Sequence, residues 1–198
     1  MRIVAHKVGP GIRPSFTRPS LSRNVTYQSV VSNIMPMKFT VLIIFLFSWT
    51  LPDKGIPITG TKFKGVMFPP NFDIKQGFSD STYADHFTLT EEMIFDLEKQ
   101  LKSEIKNLTS NAPNQGKGLG PIIHKNLDKY YRQYIGLIDE KGTKYILINF
   151  VWSTIGVLET KDPLTYWIQV HDGGSNFWNI KYNLSTKTFY DGQVNGVA

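Results

Sequence analysis

The sequence predicts an α+β fold, with one N-terminal helix packed on a four- to five-stranded antiparallel meander sheet. Three observations carry that expectation. Apolar residues recur every three or four positions through residues 89–107, the period changes to two after residue 130, and turn signals separate the later runs. A helix with one apolar stripe and a sheet with one apolar face cover each other.

Residues 55–86 are rich in Gly, Pro and Asp, which predicts an irregular lead-in with one short strand near Phe63–Met67. A helix is expected over 89–107. Thr88 and Glu91 have capping-box spacing, and Thr90 is a rival cap with Leu89 and Ile94 placed for a hydrophobic staple. Ile94, Leu97, Leu101, Ile105 and Leu108 form one stripe, and Glu91 and Glu92 sit early, where the helix dipole prefers acids. "SNAPNQGKGLGP", residues 110–121, is a loop by composition, and "IIHKNLDKYY" begins with a helical turn.

Strands are then expected at 130–138 and 144–152 around the turn "DEKG". In the second of these, Ile146, Ile148, Phe150 and Trp152 share one face, and Tyr145, Leu147, Asn149 and Val151 share the other. A third strand is expected at 166–171, followed by the hairpin signal Asp172-Gly173. The fourth runs over 177–182, "NLSTK" turns the chain, and the fifth runs over 188–194.

Residues 1–34 carry Arg2, Lys7, Arg13, Arg18 and Arg23 and no acid. They lack an apolar period, which predicts a disordered basic extension or an organellar transit peptide. Within 35–54, Lys38 precedes thirteen uncharged residues, mostly Phe, Val, Leu, Ile or Trp, and a polar break follows at Pro52. That is the layout of a signal peptide, and thirteen helical residues span only about 20 Å of a roughly 30 Å hydrocarbon core. A signal peptide works at an N-terminus, so Met35 or Met37 is the expected functional start, with 1–34 outside the translated protein. Ser48 and Thr50 have cleavage-site spacing, but Trp49 and Leu51 are bulky. Residues 38–51 are therefore either removed or kept as a membrane anchor, and the competing reading is a buried core element. Residues 55–198 form the single expected α+β domain.

The formal charge of +6 sits in the leader. Residues 1–60 hold seven Lys or Arg and one acid, whereas residues 61–198 hold fifteen of each sign. A neutral domain argues against a nucleic-acid partner. The chain has no cysteine, which excludes disulfides, thiolate catalysis and cysteine-ligated zinc. No cofactor is expected.

"YYRQYIGLIDEKGTKYILINF", a tryptophan strand and "VHDGGSNFWNIKYNLSTKTFYDGQVNG" resemble a group of small, uncharacterised exported proteins of Bacteroidota, over about residues 87–198. The resemblance implies export to the periplasm or medium and a domain type, and no activity. The helix-then-meander order is also similar to cystatin-like helix-on-sheet folds. "QVNG" at 193–196 is one residue short of the cystatin Q-x-V-x-G loop and lies at the chain end, so inhibition is not carried over.

Candidate chemistry is sparse. "NQGKGLG" lacks the Ser or Thr after its lysine and the strand before it that a phosphate loop needs, which leaves a flexible loop. His171 with Asp172 forms a possible acid–base pair, although the turn alone accounts for Asp172 and the two glycines. His86, His124 and His171 could meet at a metal, but their spacing does not indicate it. Tyr134, Tyr145, Trp167 and Trp178 are the candidate ligand-binding residues if one aromatic sheet face is open, against a competing role as sheet filling. Asn107-Leu-Thr and Asn183-Leu-Ser match the glycosylation pattern of a eukaryotic secretory pathway. The expected function is an exported, non-catalytic binding domain for an unknown protein or small-molecule ligand, using the sheet face or the 110–121 loop. The alternative is a small hydrolase using His171 and Asp172.

Overall fold

The computed structural model describes residues 54–74 and 83–197. The basic extension and the signal segment, but for Lys54, lie outside the described residues. Strands β1 (Ile56–Gly60), β2 (Phe63–Met67) and β3 (Tyr83–His86) precede helix α1 (Glu91–Thr109); β4 (Tyr130–Asp139) and β5 (Lys144–Trp152) follow. A four-residue helix α2 (Val157–Thr160) comes before β6 (Phe177–Asn183) and β7 (Thr188–Val194). The class is α+β, but the helix is not N-terminal to the sheet. The strands form one seven-stranded sheet ordered β1-β2-β4-β5-β6-β7, with β3 on β4.

The meander β4-β5-β6-β7 is antiparallel; tight turns join β4 to β5 and β6 to β7, while residues 153–176 join β5 to β6. One edge of β4 is divided. Its first half pairs in parallel with β2, at Lys64↔Tyr131 to Met67↔Tyr134, and its second half pairs antiparallel with β3. Parallel neighbours need a long crossover, and the β2-to-β4 connection contains α1. Strands β1 and β3 replace the expected irregular lead-in.

Helix α1 begins at Thr90, whose Oγ1 accepts from Met93 N at 3.3 Å. The rival cap, not the Thr88–Glu91 box, starts the helix, and Leu89 is buried with Ile94 as a staple requires. Ile94, Leu97, Leu101 and Ile105 pack on the sheet face carrying Tyr130, Tyr134, Ile146, Ile148, Phe150, Trp178, Ile180 and Tyr182.

The expected third strand, 166–171, is absent. Residues 153–170 instead form a strap across the second sheet face, packing Leu164, Trp167 and Ile168 over Leu147, Tyr145 and Val151. Side chains of the sheet satisfy its backbone. Gln133 Nε2 donates to Pro163 O at 3.2 Å and Tyr166 O at 2.7 Å, and Gln133 Oε1 accepts from Ile168 N at 2.8 Å. Asn149 Nδ2 donates to Ile168 O at 2.7 Å. With these partners, the strap needs no strand ladder to place its polar groups under cover. Both faces of the central strands are therefore covered. Among the described residues, no helix is long and apolar enough to cross a membrane.

Candidate functional site

Three glycine-bearing stretches of the sequence meet at one end of the sheet. They are the 110–121 loop after α1, the 171–176 turn before β6, and residues 194–197 at the end of β7 and beyond it. Ser175 N donates to Asn114 O at 2.9 Å, Gly174 N donates to Gly196 O at 2.8 Å, and Asn114 Nδ2 donates to Asn195 O at 2.8 Å. Ser175 Oγ donates to Pro121 O at 2.6 Å, and Tyr130 OH donates to Ser175 O at 2.7 Å. Asn195 Nδ2 reaches Val170 O, which ties the end of the strap to the same junction.

Gly174 shows why glycine stands there. Its φ is +55°, and a Cβ would overlap Leu119 O and stand 2.8 Å from Asn114 O. Only glycine combines left-handed backbone with that approach. Loop 110–121 closes on itself through Gly116 N to Gly120 O at 2.8 Å and Leu119 N to Gly116 O at 2.9 Å. It follows a helix rather than a strand, so it lacks the setting of a phosphate loop. On this base Lys117, Leu119, His171, Asp172 and Val197 are exposed.

His171 and Asp172 belong to this end, yet neither side chain makes a hydrogen bond or ion pair among the described residues. His86 lies at the opposite end of β4, paired with Leu137, and its Nδ1 is 2.7 Å from Pro70 O. His124 lies in the helical turn Ile123–Lys125 beside α1. The three histidines are not gathered, and no group of three or more His, Cys, Asp or Glu suited to a metal occurs among the described residues.

The expected open aromatic face is corrected. Tyr134, Tyr145 and Trp178 are buried, at 0, 2 and 1% exposure, and Trp167 is half-buried against Phe68 at 5.9 Å between ring centres. Helix α1 covers Tyr134 and Trp178; residues 68–74 and the strap, Trp167 included, cover Tyr145. Trp178 stacks on Phe150 with ring centres 3.7 Å apart.

Sequence reading missed two polar groups. Under α1, Arg132 Nε lies 2.8 Å from Glu98 Oε1, and Tyr134 OH donates to the same oxygen at 2.8 Å. Arg132 also donates to Tyr130 O at 2.8 Å and Leu127 O at 3.0 Å, with its guanidinium 5.5 Å from the Phe63 and Phe150 rings. Burial pushes the Glu98 carboxyl above the ordinary glutamate value, and the Arg132 charge and the Tyr134 hydrogen bond pull it back in part. Burial and the Glu98 charge raise the Tyr134 hydroxyl well above its ordinary value. The signal was Arg132 on the Tyr130–Tyr134 face of β4, one step from Gln133 on the other. The second group is a row of amides on the strap face, and its signal was Gln133 beside Ile135 and Leu137, and Asn149 beside Leu147 and Val151, on their strand faces. Neither group opens to solvent where a substrate could reach Glu98, Arg132 or Gln133, which are at most 7% exposed.

No protein-family model, curated protein or solved structure matches the chain.

Proposed function

We propose that this chain is an exported, non-catalytic binding domain that engages a protein or small-molecule ligand through the loop end formed by 110–121, 171–176 and 194–197. One observation carries the reading. Three loops are fastened to one another through backbone and amide hydrogen bonds, and they present exposed Lys117, Leu119, His171 and Asp172 on that fixed base. Loops held by a rigid scaffold are where binding residues concentrate. Export rests on Lys38, the uncharged run after it and the break at Pro52. The neutral charge of 61–198 favours a partner other than nucleic acid.

The hydrolase alternative needs His171 oriented by Asp172, and the side chains make no such bond. The test places a photo-crosslinking residue at Leu119, with a control at Phe95, in full-length chain in expressing cells. A defined adduct from position 119 alone supports the loop end; equal labelling at both positions sinks it. Turnover on a hydrolase substrate panel that disappears in His171→Ala would replace binding by catalysis.

A further inference from the structure

One polar row crosses four strands on the strap face. Gln133, Asn149, Asn179 and Gln193 are successive register partners on β4, β5, β6 and β7, so their side chains share that face. Each amide offers donors and an acceptor. On β4 and β5 these groups bind main chain. Gln133 and Asn149 hold the N–H of Ile168 and the carbonyls of Pro163, Tyr166 and Ile168, and they join each other at 3.0 Å.

On β6 and β7 the row continues, and neither amide hydrogen-bonds the strap among the described residues. Asn179 is half-buried, and its side chain makes no hydrogen bond among the described residues; Gln193 is exposed, with Asp191 Oδ1 at 3.2 Å. A bulge in β7 aligns this half. The register shifts between Asn179 and Lys181, and Asp191 takes a φ of +52°. Tyr190 and Gln193 are three residues apart and would face opposite sides of a regular strand. Here Tyr190 meets the Tyr145 ring at 6.5 Å, Gln193 lies opposite Asn179, and Phe189 and Val194 both pack into the α1-side core.

We infer that Asn179 and Gln193, with Tyr190 beside them, form a docking surface for a polypeptide segment of a partner protein. The occupant follows from the row's covered half, where the same amide chemistry already holds main-chain N–H and carbonyl groups. The surface is continuous with that internal interface. Charge agrees: Lys181 Nζ is 2.7 Å from Asp191 Oδ2, so the flanking ions offset each other and suit a neutral main chain. Among the described residues, strand β7 ends the sheet, so an incoming segment meets a sheet edge there. Tyr190, 40% exposed, offers a ring to an apolar side chain of that segment. Gln193 adjoins the loop end at Val194, but the two surfaces share no residue, and either can fail without the other.

The test is selection of a displayed random-dodecapeptide library on the immobilised full-length chain. Enriched peptides are then titrated against wild type, Asn179→Ala, Gln193→Ala and Leu119→Lys, while the side-chain amide resonances are followed. The expected result is saturable shifts at Asn179 and Gln193. Affinity should fall about tenfold in either alanine variant, as losing a hydrogen bond or two would give, and stay unchanged in Leu119→Lys. Gln193→Ala, at an exposed edge position, keeps the test decisive if Asn179→Ala fails to fold. The inference is overturned if no peptide is enriched, if both alanine variants bind as wild type does, if affinity follows Leu119→Lys, or if chitohexaose or maltohexaose shifts the two amides where peptides do not.

Discussion

Arg132 is 1% exposed, and its charge is met by Glu98, two carbonyls and two aromatic rings. Such a pair contributes little net stability compared with apolar packing, but removing one partner strands the other. Arg132→Leu should therefore cost about 3–5 kcal/mol in urea unfolding, and Glu98→Leu added to Arg132→Met should recover most of that loss. Recovery failing in the double variant would show that the guanidinium's packing matters more than the charge. Gly174→Ala tests the loop junction. The Cβ would strike backbone rather than a flexible side-chain tip, at a φ that resists a side chain. A cost of about 1–3 kcal/mol is expected, with faster amide exchange at Gly116 and Leu119. Unchanged exchange there would mean the junction does not hold the loop.

At the scale of elements, α1 was legible because its stripe and cap are local properties. Thr90→Ala should cost about 1 kcal/mol, while Thr88→Ala should stay within about 0.5 kcal/mol; equal effects would restore the capping box. The strap was illegible for the opposite reason. Tyr166, Ile168 and Val170 alternate like a strand, but the partners of that backbone lie more than thirty positions earlier, at Gln133, or nearly twenty, at Asn149. Gln133→Leu should leave Ile168 N–H without an acceptor, at about 1–3 kcal/mol for each orphaned group. Hydrogen exchange should quicken at Ile168 and stay slow in α1. Equal quickening in both would show that the strap and helix open together. Among candidate site residues, the 110–121 loop and the turn at Asp172-Gly173 were legible, because loop composition and turn residues are local properties. Tyr134, Tyr145 and Trp178 were not, since an aromatic residue in a strand reads alike under a helix, under a strap or in water.

For the whole molecule, the consequence is a set of central strands covered on both faces, with Glu98 among the ionisable groups buried at the helix interface. Its folded-state acidity is shifted upward, so the folded chain binds that proton more tightly than the unfolded chain. This contribution is fully present below the ordinary glutamate value and is lost as pH rises through the raised folded value. Unfolding free energy should therefore fall over that window, and Glu98→Gln should flatten the fall. Asp139 acts with the opposite sign. The Thr143 N–H, followed by that of Lys141, holds its carboxyl low, so its contribution is lost as pH falls through the lowered value. A Glu98→Gln profile that parallels wild type would place the proton elsewhere.

Sequence by itself determined what depends on neighbours along the chain. The α1 stripe, strands β2 and β4 to β7, the turn at Asp139 to Gly142 and the neutrality of the domain all follow from residues a few positions apart. Tertiary structure alone decided the rest: the parallel β2–β4 pair, the divided edge of β4, the strap and the burial of three of the four proposed binding aromatics. Each depends on which distant backbone donor, carbonyl or apolar surface arrives opposite. A period of two marks a strand's faces but carries no information about what covers them.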